Sequence, residues 1–184
     1  MIHENKKNTN HPGRNFCFLV EGYTDVISLA QTGIENVVAS SGTSLTTDQI
    51  RLIKRYTPNI TILYDGDFAG IKASFRGIDM ILKEEMNVRV VLFPEGEDPD
   101  SYAKKLNKEE LDAFIAENTK DFIKFKADLL LADAQNDPIK KADIVNDIIT
   151  TISLINNEVK RSLYIAECAQ IFEISEKDHF QNDT

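Results

Sequence analysis

Asp65 and Asp67 stand one residue apart in the stretch DGD, directly after the apolar run at 60–64 and directly before a helical pattern. In extended chain, residues two apart project to the same side. Two carboxylates about 4 Å apart repel by about 1 kcal/mol in water and about 4 kcal/mol at an effective dielectric of 20. Further acids follow other apolar runs. Glu21 and Asp25 lie in EGYTD after residues 16–20, and Glu95, Glu97, Asp98 and Asp100 lie in PEGEDPD after residues 88–93. Carboxylate oxygens without imidazole or thiolate favour a hard ion, Mg²⁺ or Mn²⁺. Two such ions about 4 Å apart would support in-line phosphoryl transfer.

The apolar run at 37–39 ends differently, in SSGTS, where Ser41, Gly42 and Thr43 precede a helix. Free backbone N–H groups and the positive end of a helix dipole suit a phosphate there, although such residues before a helix are more often simple caps. The basic residues Arg51, Lys54, Arg55, Lys72 and Arg76 sit one to two turns down their helices. That spacing marks a solvated face more often than a substrate contact. Gly22, Gly66, Gly70 and Gly96 lie within or beside the acid clusters, where the chain must turn tightly. His3, His11 and His179 are near the termini and take no part.

The elements that must position these acids are legible. The runs at 16–20, 37–39, 60–64 and 88–93 are short and rich in β-branched and aromatic residues, as in strands buried on both faces of a parallel sheet. Helical patterns at 24–32, 46–56 and 69–86 alternate with them. Thr46 and Gln49 have capping-box spacing. Strand, helix, strand at this spacing means right-handed βαβ units. In open α/β sheets ligands bind beyond the carboxyl ends of the strands, and three of the four strands deliver carboxylates to that edge.

After Pro99 no further strand is expected. Helices are expected at about 101–105, 109–117, 119–135, 138–154 and 157–172, with Asp137 capping and Pro138 at the first helical position. Phe122, Phe125, Leu129 and Ala132, then Ile144, Ile148, Ile152 and Ile155, repeat at helical spacing and read as core. Asp98, held out of helical geometry by Pro99, and Asp100 are expected on a stiff loop. The polar stretch 1–14 is expected to be flexible, with an α/β domain over 15–118 and a small antiparallel helical bundle over 119–184.

Composition narrows the function. A net charge of −9 argues against coating nucleic acid by charge alone, since that needs a basic surface. No apolar run is long enough to span a bilayer and none at the start resembles a secretory signal, so a cytoplasmic protein is expected. Cys17 and Cys168 are far apart in apolar patterns and read as buried hydrophobes, without a disulfide framework or a zinc site. No strong interface stripe is left over, so a monomer is expected.

EGYTD, DGDFAG and GEDPD, in that order on alternating strands and helices, resemble the TOPRIM domain. The longer stretches FLVEGYTDVISLAQTGIENVVASSGTS, YDGDFAG and PEGEDPDSYAKK resemble the bacterial DNA primases, and the region after 118 is similar to the helical bundle that follows TOPRIM in them. The resemblance implies synthesis of short RNA primers on single-stranded DNA from ribonucleoside triphosphates. It implies Glu21 as a metal ligand and general base, Asp25 as an assisting acid, and Asp65, Asp67, Asp98 and Asp100 as ligands of two or more Mg²⁺ or Mn²⁺ ions. Ser41, Gly42 and Thr43 would then bind nucleotide, and Lys72 and Arg76 template or phosphate. Phe68 fills a variable slot of the motif.

The family's zinc ribbon, basic subdomain and helicase-binding terminal domain have no counterpart in the sequence as read, so the replicative helicase is expected to be met through an absent domain. The chain reads as a piece, expected to bind a dication yet to make primers poorly or not at all. Two rival readings remain: a TOPRIM nuclease using the same metals, and a partner-binding module without catalysis.

Overall fold

The structure is a computed structural model and describes residues 15–40, 45–66, 68–134 and 137–172, without the side chains of 68–70, 72–74 and 133. The segment 1–14 lies outside the described residues. Two compact units divide after Thr119, against an expected boundary at 118.

The first unit alternates strand and helix: β1 (Cys17–Val20), α1 (Tyr23–Gln31), β2 (Val37–Ala39), α2 (Thr47–Lys54), β3 (Asn59–Tyr64), α3 (Phe68–Lys83) and β4 (Asn87–Leu92), then α4 (Pro99–Lys105) and α5 (Lys108–Asn118). The four strands are parallel in the order β2-β1-β3-β4. Phe18, Val20, Leu63, Val91 and Phe93 point to one face, where Leu29 of α1, Ala103 of α4 and Leu111 and Ile115 of α5 pack on them. Period two sends Leu19, Ile60, Ile62, Val88 and Val90 to the opposite face, and all are buried. Burial on both faces is why the strands read as continuous apolar runs.

The expected capping box at α2 is formed: Gln49 N–H donates to Thr46 Oγ1 at 3.3 Å and Thr46 N–H to Gln49 Oε1 at 2.9 Å. Arg51 and Lys54 pair with Glu84 and Glu85, the solvated-face reading rather than a substrate contact. α3 stops at Lys83, short of the expected 86, because Glu85 takes the left-handed region at φ +60° and Met86 N–H returns to Ile81 O.

The second unit contains β5 (Lys120–Asp121), α6 (Phe122–Ala134), α7 (Pro138–Ser153) and α8 (Glu158–Ile171). The strand β5 corrects the expectation that none follows Pro99; two polar residues carry no apolar signal. The three helices contact one another and short connections make successive ones antiparallel. Asp137 caps α7 as expected, accepting from Ile139 N–H at 2.9 Å. Phe122, Phe125, Leu129, Ile148, Ile152 and Ile155 are buried, but Ala132 is exposed and Ile123, Ala127 and Ala134 are buried instead. Cys168 is buried; Cys17 is only half-buried, and burial pushes its thiol up to about 12, which keeps it neutral and inert.

Candidate metal centre

Three loops meet at the carboxyl edge of adjacent strands β1, β3 and β4. Glu21 follows β1, Asp65 follows β3, and the segment 94–98 follows β4. Leu19 pairs with Ile62 and Tyr64 with Leu92, so the three strands end at nearly the same level. Phe93 N–H donates to Tyr64 O at 3.0 Å and carries the pairing to the edge.

Glycine brings the second and third loops into contact. Gly66 N–H donates to Glu97 O at 2.9 Å. A Cβ at Gly66 would lie 2.0 Å from Pro94 O, so only glycine lets these backbones approach. Pro94, Glu95, Gly96 and Glu97 form a turn closed by Glu97 N–H to Pro94 O at 2.9 Å, with Gly96 at φ +78° in the position that requires positive φ.

The first loop folds on Asp25. Gly22 is the N-cap of α1, and its N–H donates to Asp25 Oδ2 at 3.0 Å. That bond turns the chain just after Glu21, which is exposed on the edge. Asp25 itself is 7% exposed. Burial raises its carboxyl above the ordinary value, the Gly22 N–H works against that, and the nearby charges of Asp98 and Asp100 add to it.

Asp98 is extended, at φ −133°, and is the N-cap of α4. Its Oδ1 accepts from Ser101 N–H at 2.6 Å, and Ser101 Oγ accepts from Asp98 N–H at 3.0 Å. Asp100 departs from expectation: with Asp98 as cap and Pro99 at the first position, it lies in the first turn of α4 and not on a loop. Its Oδ1 accepts from Ser28 Oγ of α1, and its Oδ2 is held by Lys104 Nζ at 2.6 Å. Thr32 Oγ1 also donates to Ala103 O at 3.1 Å, so α1 and α4 are joined twice. Glu97 accepts from Ser101 Oγ at 2.7 Å and is paired with Lys105. Hydrogen bonds from Lys104 and Ser28 hold Asp100 below its ordinary value, and those from Lys105 and Ser101 do the same for Glu97.

Lys104 and Lys105 were missed by sequence reasoning, which looked for counter-charge on α2 and α3. The signal was present, since Asp100 and Lys104 have the i,i+4 spacing of a helical ion pair. Beneath them Tyr102 packs on Phe93 and Phe114, with centroids at 5.3 and 4.7 Å, and fixes α4 against the end of β4.

Thus Asp25 feels the charges of Asp98 and Asp100, and Glu21 and Asp65 follow β1 and β3 on the same edge; Asp65 Oδ1 is shut off from solvent. Asp67, Ser41, Gly42 and Thr43 lie outside the described residues, as does the side chain of Lys72. Arg76 is exposed and lies eight residues along α3, roughly 12 Å from its start, so it is not gathered to the edge. Among the described residues no three acidic, histidine or cysteine side chains form a group that could hold a metal ion. The chemistry of the donors nonetheless fits a hard dication: all are carboxylates, and one of them, Asp100, already carries a cation, the Lys104 ammonium.

A parallel sheet with acids after three neighbouring strands is the arrangement of a Toprim-like domain, and the Toprim-like family model matches residues 18–103. A second model, the DnaB-helicase binding domain of primase, matches 124–177. The chain is 38% identical over 174 residues to a DNA primase from Clostridium acetobutylicum, covering 87% of this chain and 28% of that protein. A DNA primase domain from Pseudomonas aeruginosa superposes with a TM-score of 0.75 at 30% identity, over 89% of this chain and 52% of that one. A DnaG primase catalytic domain bound to single-stranded DNA gives 0.73 at 34%, over 85% and 51%. Together these matches support a bacterial primase fragment made of the TOPRIM and following helical segments. The chain spans about a quarter of the length of the curated relatives it matches.

Proposed function

We propose that this chain supplies the metal-binding edge at which a bacterial primase joins ribonucleotides into primers on single-stranded DNA. The observation that carries the reading is the position of Glu21, Asp65 and the 94–98 segment on the carboxyl edge of three adjacent parallel strands, with Gly66 clasping the β3 and β4 loops together. Glu21, Asp65, Asp67 and Asp98 would hold the dications, Mg²⁺ or Mn²⁺, and Asp100 would join them. Bound dications polarise phosphoryl oxygens and offset the charge that develops in nucleotidyl transfer.

The chain's own residues orient that edge. Asp25 fixes the turn that presents Glu21, acting as a positioning residue through the Gly22 N–H. Asp98 is aimed by its cap on α4. Ser41, Gly42 and Thr43 would receive a nucleotide phosphate ahead of α2, and Lys72 and Arg76 template or phosphate farther along α3. The match of residues 124–177 to a helicase-binding domain supports a replicative helicase as partner of the helical unit itself, where the sequence had placed that contact in an absent domain. Such work would be done in the cytoplasm. Among the described residues no helix is long and apolar enough to cross a membrane.

Calorimetric titration with Mn²⁺ tests the reading. The chain binds the ion, and Asp65→Asn combined with Asp67→Asn abolishes most of the affinity. Absence of binding, or binding indifferent to both substitutions, would refute it.

A further inference from the structure

Lys104 and Lys105 close α4 and reach back to the segment that follows β4. The ammonium of Lys104 sits 2.6 Å from Asp100 Oδ2, and that of Lys105 is bonded to Glu97. An i,i+4 pair on an exposed helix face commonly does nothing beyond a small helix stabilisation. This one differs in what its acid faces. The other oxygen of Asp100 takes the Ser28 hydroxyl of α1, and the backbone N–H and the charge of Asp100 both act on the Asp25 carboxyl. Both oxygens of Asp100 are therefore engaged, one by a charge that is itself 66% exposed and on a flexible stem.

We propose that Lys104 is a built-in, displaceable counter-cation: its ammonium holds Asp100 while the edge is without a dication and must leave that carboxylate before Mg²⁺ or Mn²⁺ can use it. The inference rests on the proposed metal edge and concerns its regulation. The exchange would be of one cation for another on the Asp100 carboxylate, which the Ser28 hydroxyl continues to hold. Lys104 then swings into solvent at the rim, where its charge faces whatever anion the dication brings.

Competition makes a quantitative demand on metal binding, readable without any catalysis. In Mn²⁺ titration calorimetry, Lys104→Gln binds about two- to five-fold more tightly than the parent, in line with the modest worth of an exposed ion pair. Lys108→Gln removes the same charge from a lysine paired with Asp112, and its affinity stays at the parent value. In an Asp100→Asn background the gain from Lys104→Gln disappears. An unchanged or weaker affinity in Lys104→Gln overturns the proposal, as does an equal gain with and without Asp100, which would show general charge and not exchange. If the parent takes up no Mn²⁺ at all, the metal edge itself is refuted; if it does and Lys104 is indifferent, only the exchange is.

Discussion

Gly66→Ala should disrupt the clasp between the β3 and β4 loops. The new Cβ would stand 2.0 Å from Pro94 O, 2.5 Å from Pro94 C and 2.8 Å from Glu95 Cα. All three are backbone atoms, so no side-chain rotation relieves the clash. Nor can Pro94 drift away cheaply, because the neighbouring Phe93 N–H is bonded to Tyr64 O at 3.0 Å. The loops must part by more than 1 Å, roughly the distance to ordinary contact, and the Gly66 N–H to Glu97 O bond goes with them. Overpacking of this kind costs about 1–3 kcal/mol and a lost hydrogen bond about 0.5–1.5 kcal/mol, giving about 2–4 kcal/mol together. With a urea dependence of about 2 kcal/mol per M, the unfolding midpoint followed by circular dichroism falls by about 1–2 M. Gly77→Ala is the matched control. It lies inside α3, its Cβ meets no described atom within 4 Å, and replacing a helical glycine gains about 0.5–1 kcal/mol, so its midpoint rises. A Gly66→Ala midpoint within about 0.3 M of the parent would sink the idea that this close approach builds the edge.

Asp25→Asn should raise stability at pH 7 in metal-free buffer, because an amide oxygen still accepts from Gly22 N–H while the buried charge is gone. The sign follows from linkage: the folded pKa lies above the ordinary 3.8, so parent stability is fullest at pH below that value and declines as pH rises through the folded pKa. The advantage of the amide variant should therefore shrink to nothing below pH 3.8 in urea titrations across pH; an advantage independent of pH would contradict the assignment. Asp98→Ala should cost about 1 kcal/mol through loss of the α4 cap. Asp98→Asn should keep that cap and the urea midpoint yet weaken Mn²⁺ binding, and loss of stability without loss of Mn²⁺ affinity in either variant would assign Asp98 to structure alone.

The strands and the acidic edge were readable because burial on both faces leaves an apolar run that ends abruptly, and the first polar residues after it must lie on the ligand-binding edge. Glu21, Asp65 and the 94–100 segment fall there for that reason alone. What was not readable depended on helix starts and on contacts across the chain. The rule that placed Asp137 before Pro138 as cap and first residue of a helix applies equally to Asp98 and Pro99, and applying it would have put Asp100 in the first turn and Lys104 one turn beyond it. Ser28 has no sequence signal at all, since its partner is 72 residues away. β5 was invisible because its two residues are polar and its role is in pairing, not in burial.

Those missed residues change the electrostatic argument. Crowded carboxylates repel one another, and repulsion alone would call for dications at the edge. In the structure, Asp98 is stabilised by a helix N-terminus, Asp100 by a hydroxyl and an ammonium, and Glu97 by another pair of the same kind, while Asp25 is pushed toward protonation by burial. Part of the charge on the edge is thus offset, among the described residues, by groups the chain itself carries. On the exchange proposed above, a dication would compete with Lys104 for Asp100, which predicts a moderate affinity and exchangeable ions. That suits a site whose ions would arrive with charged nucleotide and leave with product better than one whose ions hold the fold together.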